Sequence, residues 1–192
     1  MYKLLLAGLV TLLLVGCSDQ SWRTTDIGDI MPKLDFSLTD EEGEAVQGED
    51  YRGKVTLVYF GYTFCPDVCP ITLARLGDAI RKLDEETRDE IQVLFISVDP
   101  SRDTPEVLKR YTHAFGPEFV GLTGDKAEID AVTNRYRVAY EYSEANENGD
   151  YLVNHSSAVF AFDREGQAQF LVRDSHPVSD VEADIKRLVA KG

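Results

Sequence analysis

A chain of 192 residues, 43% apolar and 28% charged, is enough for one globular domain with its own core, and it shows neither a repeat nor a disordered tract. Its 20 basic residues are outnumbered by 34 acidic ones, a formal net charge of -14, and no run of Lys or Arg offers a footprint for a phosphate backbone. Nucleic acid is thereby excluded as an expected partner, and the acidic surface serves solubility first and long-range attraction of cations second.

Residues 1–16 differ in composition from the rest: Lys3 is followed by the apolar run Leu4 to Val15, which closes on Gly16 and Cys17. This is a charged n-region ahead of an apolar h-region. Leu14-Val15-Gly16-Cys17 resembles the lipobox of bacterial lipoproteins. The resemblance implies removal of residues 1–16 as a signal peptide and a lipid on Cys17; the alternative is an uncleaved N-terminal anchor. Either reading puts the folded part on the periplasmic side of a bacterial membrane, with the inner membrane as the expected one. Thr24 to Pro32, punctuated by Gly28 and Pro32, reads as a linker, so 17–32 is expected to be lipidated terminus and linker and 33–192 the folded domain.

Leu34-Asp35-Phe36-Ser37-Leu38 alternates with period two and Glu41-Glu42-Gly43 supplies a turn, which predicts a hairpin ahead of the main sheet. Val55 to Phe60 is a strand fit for burial on both faces. Cys65-Pro66-Asp67-Val68-Cys69 follows, then a helical stripe of Ile71, Leu73, Leu76, Ile80 and Leu83, then a second buried strand from Ile91 to Val98. Thr104-Pro105 is an N-cap and first-turn pair for a helix carrying Val107, Leu108, Tyr111 and Phe115. Asp125 with Glu128 forms a capping box ahead of Ile129, Val132 and Tyr136, and Glu141 to Asp150 reads as an exposed acidic loop. Strands at Ser157 to Phe162 and Ala168 to Val172 are joined by a hairpin turn at Asp163 to Gly166, and a last helix turns Val181, Ile185, Leu188 and Val189 inward. The order describes an α/β, thioredoxin-like fold: a central mixed sheet flanked by helices, with an N-terminal β-hairpin extension. Cys65 and Cys69 then fall at the carboxyl end of a central strand, where open α/β sheets place their sites.

With Cys17 assigned to the lipid, the domain has two cysteines in a compartment where thiols oxidise. Two thiols four positions apart close on each other or on a soft metal. A staple across so short a loop removes little unfolded-state entropy, and thiols at a helix N-terminus have the electrostatics of reactive thiolates. Ordinary thioredoxin-like oxidoreductases separate the pair by two residues; here Pro66, Asp67 and Val68 intervene. With the helix beginning at Val68, both sulfurs can converge on one point, which suits a chelate. Two thiolates hold copper(I), while a site that also accepts copper(II) wants an imidazole. Of the three histidines, His113 reads as a solvated helix residue and His176, before Pro177, as a turn or capping residue. His155 immediately precedes a core strand, on a loop able to fold over the cysteine motif. Asp67 and Asp99 read on their own as a helix-start charge and a turn residue.

Tyr59 to Pro70, Ile96 to Pro105 and Val153-Asn154-His155-Ser156-Ser157 together resemble the Sco/SenC family of membrane-anchored, thioredoxin-like copper proteins associated with cytochrome c oxidase assembly. The resemblance implies one copper, as copper(I) or copper(II), held by Cys65, Cys69 and His155, with Asp67 and Asp99 as acidic neighbours. Phe64 stands where many relatives carry His, and Asn154 where Asp is common; these departures bear on local charge and affinity, not on the ligand set. The implied role is a metallochaperone for the dinuclear copper site of cytochrome c oxidase subunit II, served by a periplasmic copper donor or thiol reductant. Two alternatives share these residues: a thiol-disulfide reductase with Cys65 as nucleophile and Cys69 as resolving thiol, and a copper or redox sensor. A peroxiredoxin-type peroxidase ranks last, because the spacing of Thr63 to Cys65 is unlike that family's.

Overall fold

The computed structural model describes residues 21–191; the leader and Cys17, with the cleavage and lipidation expected there, lie outside them. No helix of the described residues is long and apolar enough to cross a membrane. The chain begins with a short edge strand, β1 (Thr25–Asp26), forms a hairpin of β2 (Ser37–Asp40) and β3 (Ala45–Gln47), and then lays down β4 (Val55–Gly61). Helix α1 (Val68–Arg81) and the short α2 (Glu85–Asp89) lead to β5 (Ile91–Ser97). Helix α3 (Pro105–Thr112) leads to β6 (Phe119–Thr123), and α4 (Lys126–Arg135) to a hairpin of β7 (Tyr140–Tyr142) and β8 (Val153–His155). The chain closes with β9 (Val159–Phe162), β10 (Ala168–Val172) and α5 (Val178–Lys191).

Eight strands form one mixed sheet in the order β1-β10-β9-β4-β5-β6-β2-β3, and β7-β8 stand apart as a two-stranded ribbon. The inner trio β4, β5 and β6 is parallel, and β9 runs antiparallel to β4. This is the expected thioredoxin-like, helix-flanked sheet. All seven residues of β4 are buried, as its mostly apolar run requires of a central strand. Helix α1 buries Cys69, Leu73, Leu76 and Ile80 at helical spacing, and α5 packs beside it with Val181, Ile185 and Leu188 inward. Both predicted helix starts are present: Thr104 caps α3, and Asp125 with Glu128 closes a reciprocal box on α4. Ile71 departs from the expected stripe, lying 53% exposed on the first turn of α1, one position off the buried row.

One other expectation is corrected. The segment 24–32 is not a free linker: Thr25 and Asp26 pair with Leu171 and Phe170 of β10, and Ile27 is buried. Its anchor is Asp184, a fully buried carboxylate within the apolar stripe of α5, which accepts from Arg23 N at 3.1 Å, Thr24 N at 2.8 Å and the Thr24 hydroxyl at 2.8 Å. A buried carboxylate must find donors, and the incoming backbone supplies them. The expected N-terminal hairpin is present, β2 pairing with β3, and through the pairing of β2 with β6 it extends the main sheet. The acidic loop is the exposed tip of the β7-β8 hairpin. Replacing Asp184 by Ala is expected to lower the unfolding free energy by about 2 kcal/mol in urea titrations. Limited proteolysis should then cut between Trp22 and Ile27, a site protected in the parent protein.

Candidate metal centre

Strand β4 ends at Gly61, and the loop from Tyr62 to Asp67 delivers the chain to α1. Asp103 fastens that loop to the end of β5: its carboxylate accepts from Thr63 N at 3.0 Å, the Thr63 hydroxyl at 2.6 Å and the Ser97 hydroxyl at 2.6 Å. It is fully buried, and burial raises its carboxyl above the ordinary carboxylate range. Asp67 occupies the N-cap of α1 but makes no side-chain cap bond. The sulfur of Cys65 takes that role, receiving Cys69 N–H at 3.4 Å and so partly satisfying a free amide of the first turn. Cys69 lies beneath, against Gly61. A Cβ on that glycine would sit 2.9 Å from Cys69 Sγ and 2.7 Å from the Phe95 ring, so only glycine leaves room for the sulfur. Burial pushes the Cys69 thiol up to about 12, which keeps it protonated at neutral pH in the metal-free protein.

The histidine arrives by sheet pairing. Because β9 is antiparallel to β4, with Val159 opposite Tyr59, the residues just before β9 lie where β4 ends. His155 Nε2 stands 3.2 Å from Cys69 Sγ, and Nδ1 is 2.9 Å from the carbonyl of Ser156. A carbonyl only accepts, so Nδ1 carries the proton and Nε2 turns its lone pair to the Cys69 thiol. Burial holds this imidazole below its ordinary pKa, so it is neutral at pH 7. The rings of Tyr59 and Tyr62 flank it with centroids at 6.1 and 5.8 Å. One ligand atom from each of Cys65, Cys69 and His155 lies within 4.8 Å of the others. Two sulfurs and one unprotonated nitrogen converging in a largely dry corner are a donor set for a thiophilic ion.

Asp67 and Asp99 stand outside this group of three. Asp67 is exposed. Asp99 is fully buried beside the site and is engaged by the hydroxyls of Ser101 at 2.8 Å and Tyr151 at 2.9 Å and by Arg102. Phe64 and Asn154 both point outward, Phe64 at 56% exposure. His176 has the expected turn role, its Nδ1 accepting from Arg173 N at 3.0 Å. His113 is half exposed as expected but not free, since its Nε2 meets the buried Glu41 at 2.7 Å. Asp103 was not singled out in the sequence, since nothing local marks a carboxylate as reaching a loop 40 positions away.

Comparison with known proteins agrees with the geometry. A profile of the SCO1/SenC family matches residues 28–190. The mitochondrial protein SCO2 of Saccharomyces cerevisiae is 44% identical over 133 residues, 69% of this chain and 44% of that protein, so the chain spans less than half the length of that relative. The crystal structure of Arabidopsis thaliana ScoI with copper bound is similar at a TM-score of 0.77 and 36% identity, covering 83% of this chain and 99% of that one. Bradyrhizobium japonicum ScoI, also with copper bound, gives a TM-score of 0.73 and 38% identity over 81% of this chain and 98% of that one.

In the reduced, metal-free protein, iodoacetamide is expected to modify Cys65, 9% exposed, well before Cys69, which is 0% exposed. The rate at Cys69 should climb about tenfold per pH unit between about pH 8 and about pH 11, because the thiolate is the nucleophile and this thiol titrates only higher. Peptide mass spectrometry reads both rates; equal modification at about pH 8 would contradict the burial order.

Proposed function

The chain belongs to the SCO1/SenC family, and from that premise we propose that it is a copper chaperone that binds one copper through Cys65, Cys69 and His155 and delivers it to the dinuclear site of cytochrome c oxidase subunit II. In this reading residues 1–16 are a signal peptide, and a lipid on Cys17 holds the domain on the periplasmic face of the inner membrane. The observation that carries it is the unprotonated Nε2 of His155 aimed at Cys69 Sγ, with Cys65 Sγ in the same group. Copper(I) is soft and tolerates three-coordinate geometry. Two thiolates and a neutral imidazole leave a net charge of about -1 with copper(I) and about zero with copper(II), so the site tolerates both states. Closing Cys65 and Cys69 into a disulfide gives up two electrons to an oxidant and removes both sulfur ligands together, which couples redox state to metal release.

A second reading, thiol-disulfide exchange on the oxidase subunit's cysteines, is favoured by one feature. The Cys65 sulfur accepts a helix N-terminal amide and is the more exposed of the pair, as an attacking thiol needs to be. In that reading His155 is dispensable.

Anaerobic loading of the reduced protein is expected to give one copper per chain and a copper(II)–thiolate absorption band. His155→Ala should lose the band or at least about tenfold in copper(II) affinity, and Cys65→Ser should bind no copper tightly. A parent protein that takes up no copper yet reduces disulfides, with His155→Ala unimpaired, would establish the reductase reading instead. Because the Cys69 proton must leave when metal binds and this thiol titrates only near 12, copper affinity should rise at least about tenfold per pH unit through about pH 10. Competition with a chelator of known pH dependence measures the slope.

A further inference from the structure

Among the described residues the hairpin that carries His155 has no strand pairing to the main sheet: β7 and β8 pair with each other alone. The pairing of β9 with β4 brings His155 to the site, and side chains hold the rest of the hairpin over it. Two tyrosines tie the outer strand, Tyr140 OH donating to Asp130 at 2.6 Å and Tyr142 OH to the carbonyl of Val98 at 2.7 Å. The third tie is of another kind. Arg102, in the turn after β5, lays its guanidinium carbon 3.7 Å from the centre of the Tyr151 ring and donates from Nη1 to the Tyr151 carbonyl at 3.1 Å. The same guanidinium lies 4.9 Å from the ring centre of Phe64 and 5.6 Å from that of Tyr62, both on the cysteine loop. Asp99, fully buried, holds the other edge through Arg102 Nε and also accepts the Tyr151 hydroxyl at 2.9 Å. Among the described residues Arg102 Nη2 has no hydrogen-bond partner, while the guanidinium face is stacked on the Tyr151 ring.

We propose that Arg102 is the positioning residue of the metal centre: one planar cation, fixed by Asp99, registers Tyr151 of the His155 hairpin against Tyr62 and Phe64 of the cysteine loop. The chemistry requires arginine. A guanidinium stacks on a ring while donating in its own plane, whereas an ammonium is a point charge that does one or the other. Tyr151 and His155 are four residues apart on a near-extended segment, about 13 Å, so play at Tyr151 is carried along the strand to the imidazole. Tyr140 and Tyr142 remain in place without Arg102, so its loss should loosen register and leave the fold.

The test has one arm that needs no metal and one that rests on the copper reading above. Arg102→Lys keeps a cation beside buried Asp99 so that the protein folds, and Tyr151→Leu removes the stacked ring while leaving the Asp99–Arg102 pair. In the reduced metal-free protein, nuclear Overhauser contacts from the His155 ring to the Tyr59 and Tyr62 rings are expected in the parent and lost in both variants, with those between β4 and β5 unchanged. In the copper arm, both variants should still bind one copper(I), while copper(II) affinity falls at least about tenfold and the copper(II)–thiolate band shifts. Retention of the His155 contacts in both variants overturns the proposal, as does their loss with an unaltered copper(II) band and affinity. If the parent binds no copper, the ligand assignment fails and the ring contacts alone decide the role of Arg102.

Discussion

The antiparallel pairing of β9 with β4 is the constraint on which the site depends. It brings the two ends of an 86-residue separation together, because the start of one strand must lie beside the end of the other. Closing so long a loop for a single sulfur–nitrogen contact would be unfavourable, since that contact is worth little against the chain entropy it opposes. Four matched residue pairs between two fully buried strands supply the stabilisation, and the ligand geometry comes as a by-product of the sheet. The same economy operates at Cys65, whose sulfur completes the first turn of α1 as well as facing the site.

Four buried carboxylates form the joints of this architecture. Asp184 seats the incoming chain on α5, Asp103 ties the cysteine loop to β5, Asp99 holds the turn beside the site, and Glu41 bonds Thr112, Gly121 and His113, linking the N-terminal hairpin to α3 and β6. Each accepts from backbone amides, hydroxyls or a cation, as a carboxylate removed from water must. In a chain of net charge -14 these four are hidden among 34 acidic residues, most of which serve the surface. Composition therefore describes the solvent face of the protein and is silent about the acids that hold it together.

That silence also explains which parts of the structure were legible in the sequence. The core strands announced themselves as mostly apolar runs, α3 and α4 through their caps, and the two cysteines through spacing at a strand-to-helix junction. All of these are local signals. Strand β6 is short, with Gly121 at its centre where a Cβ would meet Leu108 at 2.6 Å, so its sequence carries little pattern. Strand β1 is two residues long and owes its place to Asp184, and the β7-β8 hairpin owes its place to tyrosine hydroxyls and Arg102; neither debt is visible along the chain. His155 was legible because it adjoins a strand and shares a motif; of the two expected acidic neighbours of the site, Asp67 faces water and Asp99 is buried and accepts the Tyr151 hydroxyl.

The bond from His155 Nδ1 to the carbonyl of Ser156 has a genetic consequence. In many proteins a histidine's tautomer is dictated by a neighbouring side chain, and a single codon change can reverse it. Here the instruction comes from the main chain, which every amino acid at position 156 provides alike. The nitrogen presented to the sulfur is thus insulated from point mutation at that neighbour. Drift in the lineage can alter the charge or bulk around the imidazole, but reassigning its proton would require rebuilding the backbone between β8 and β9.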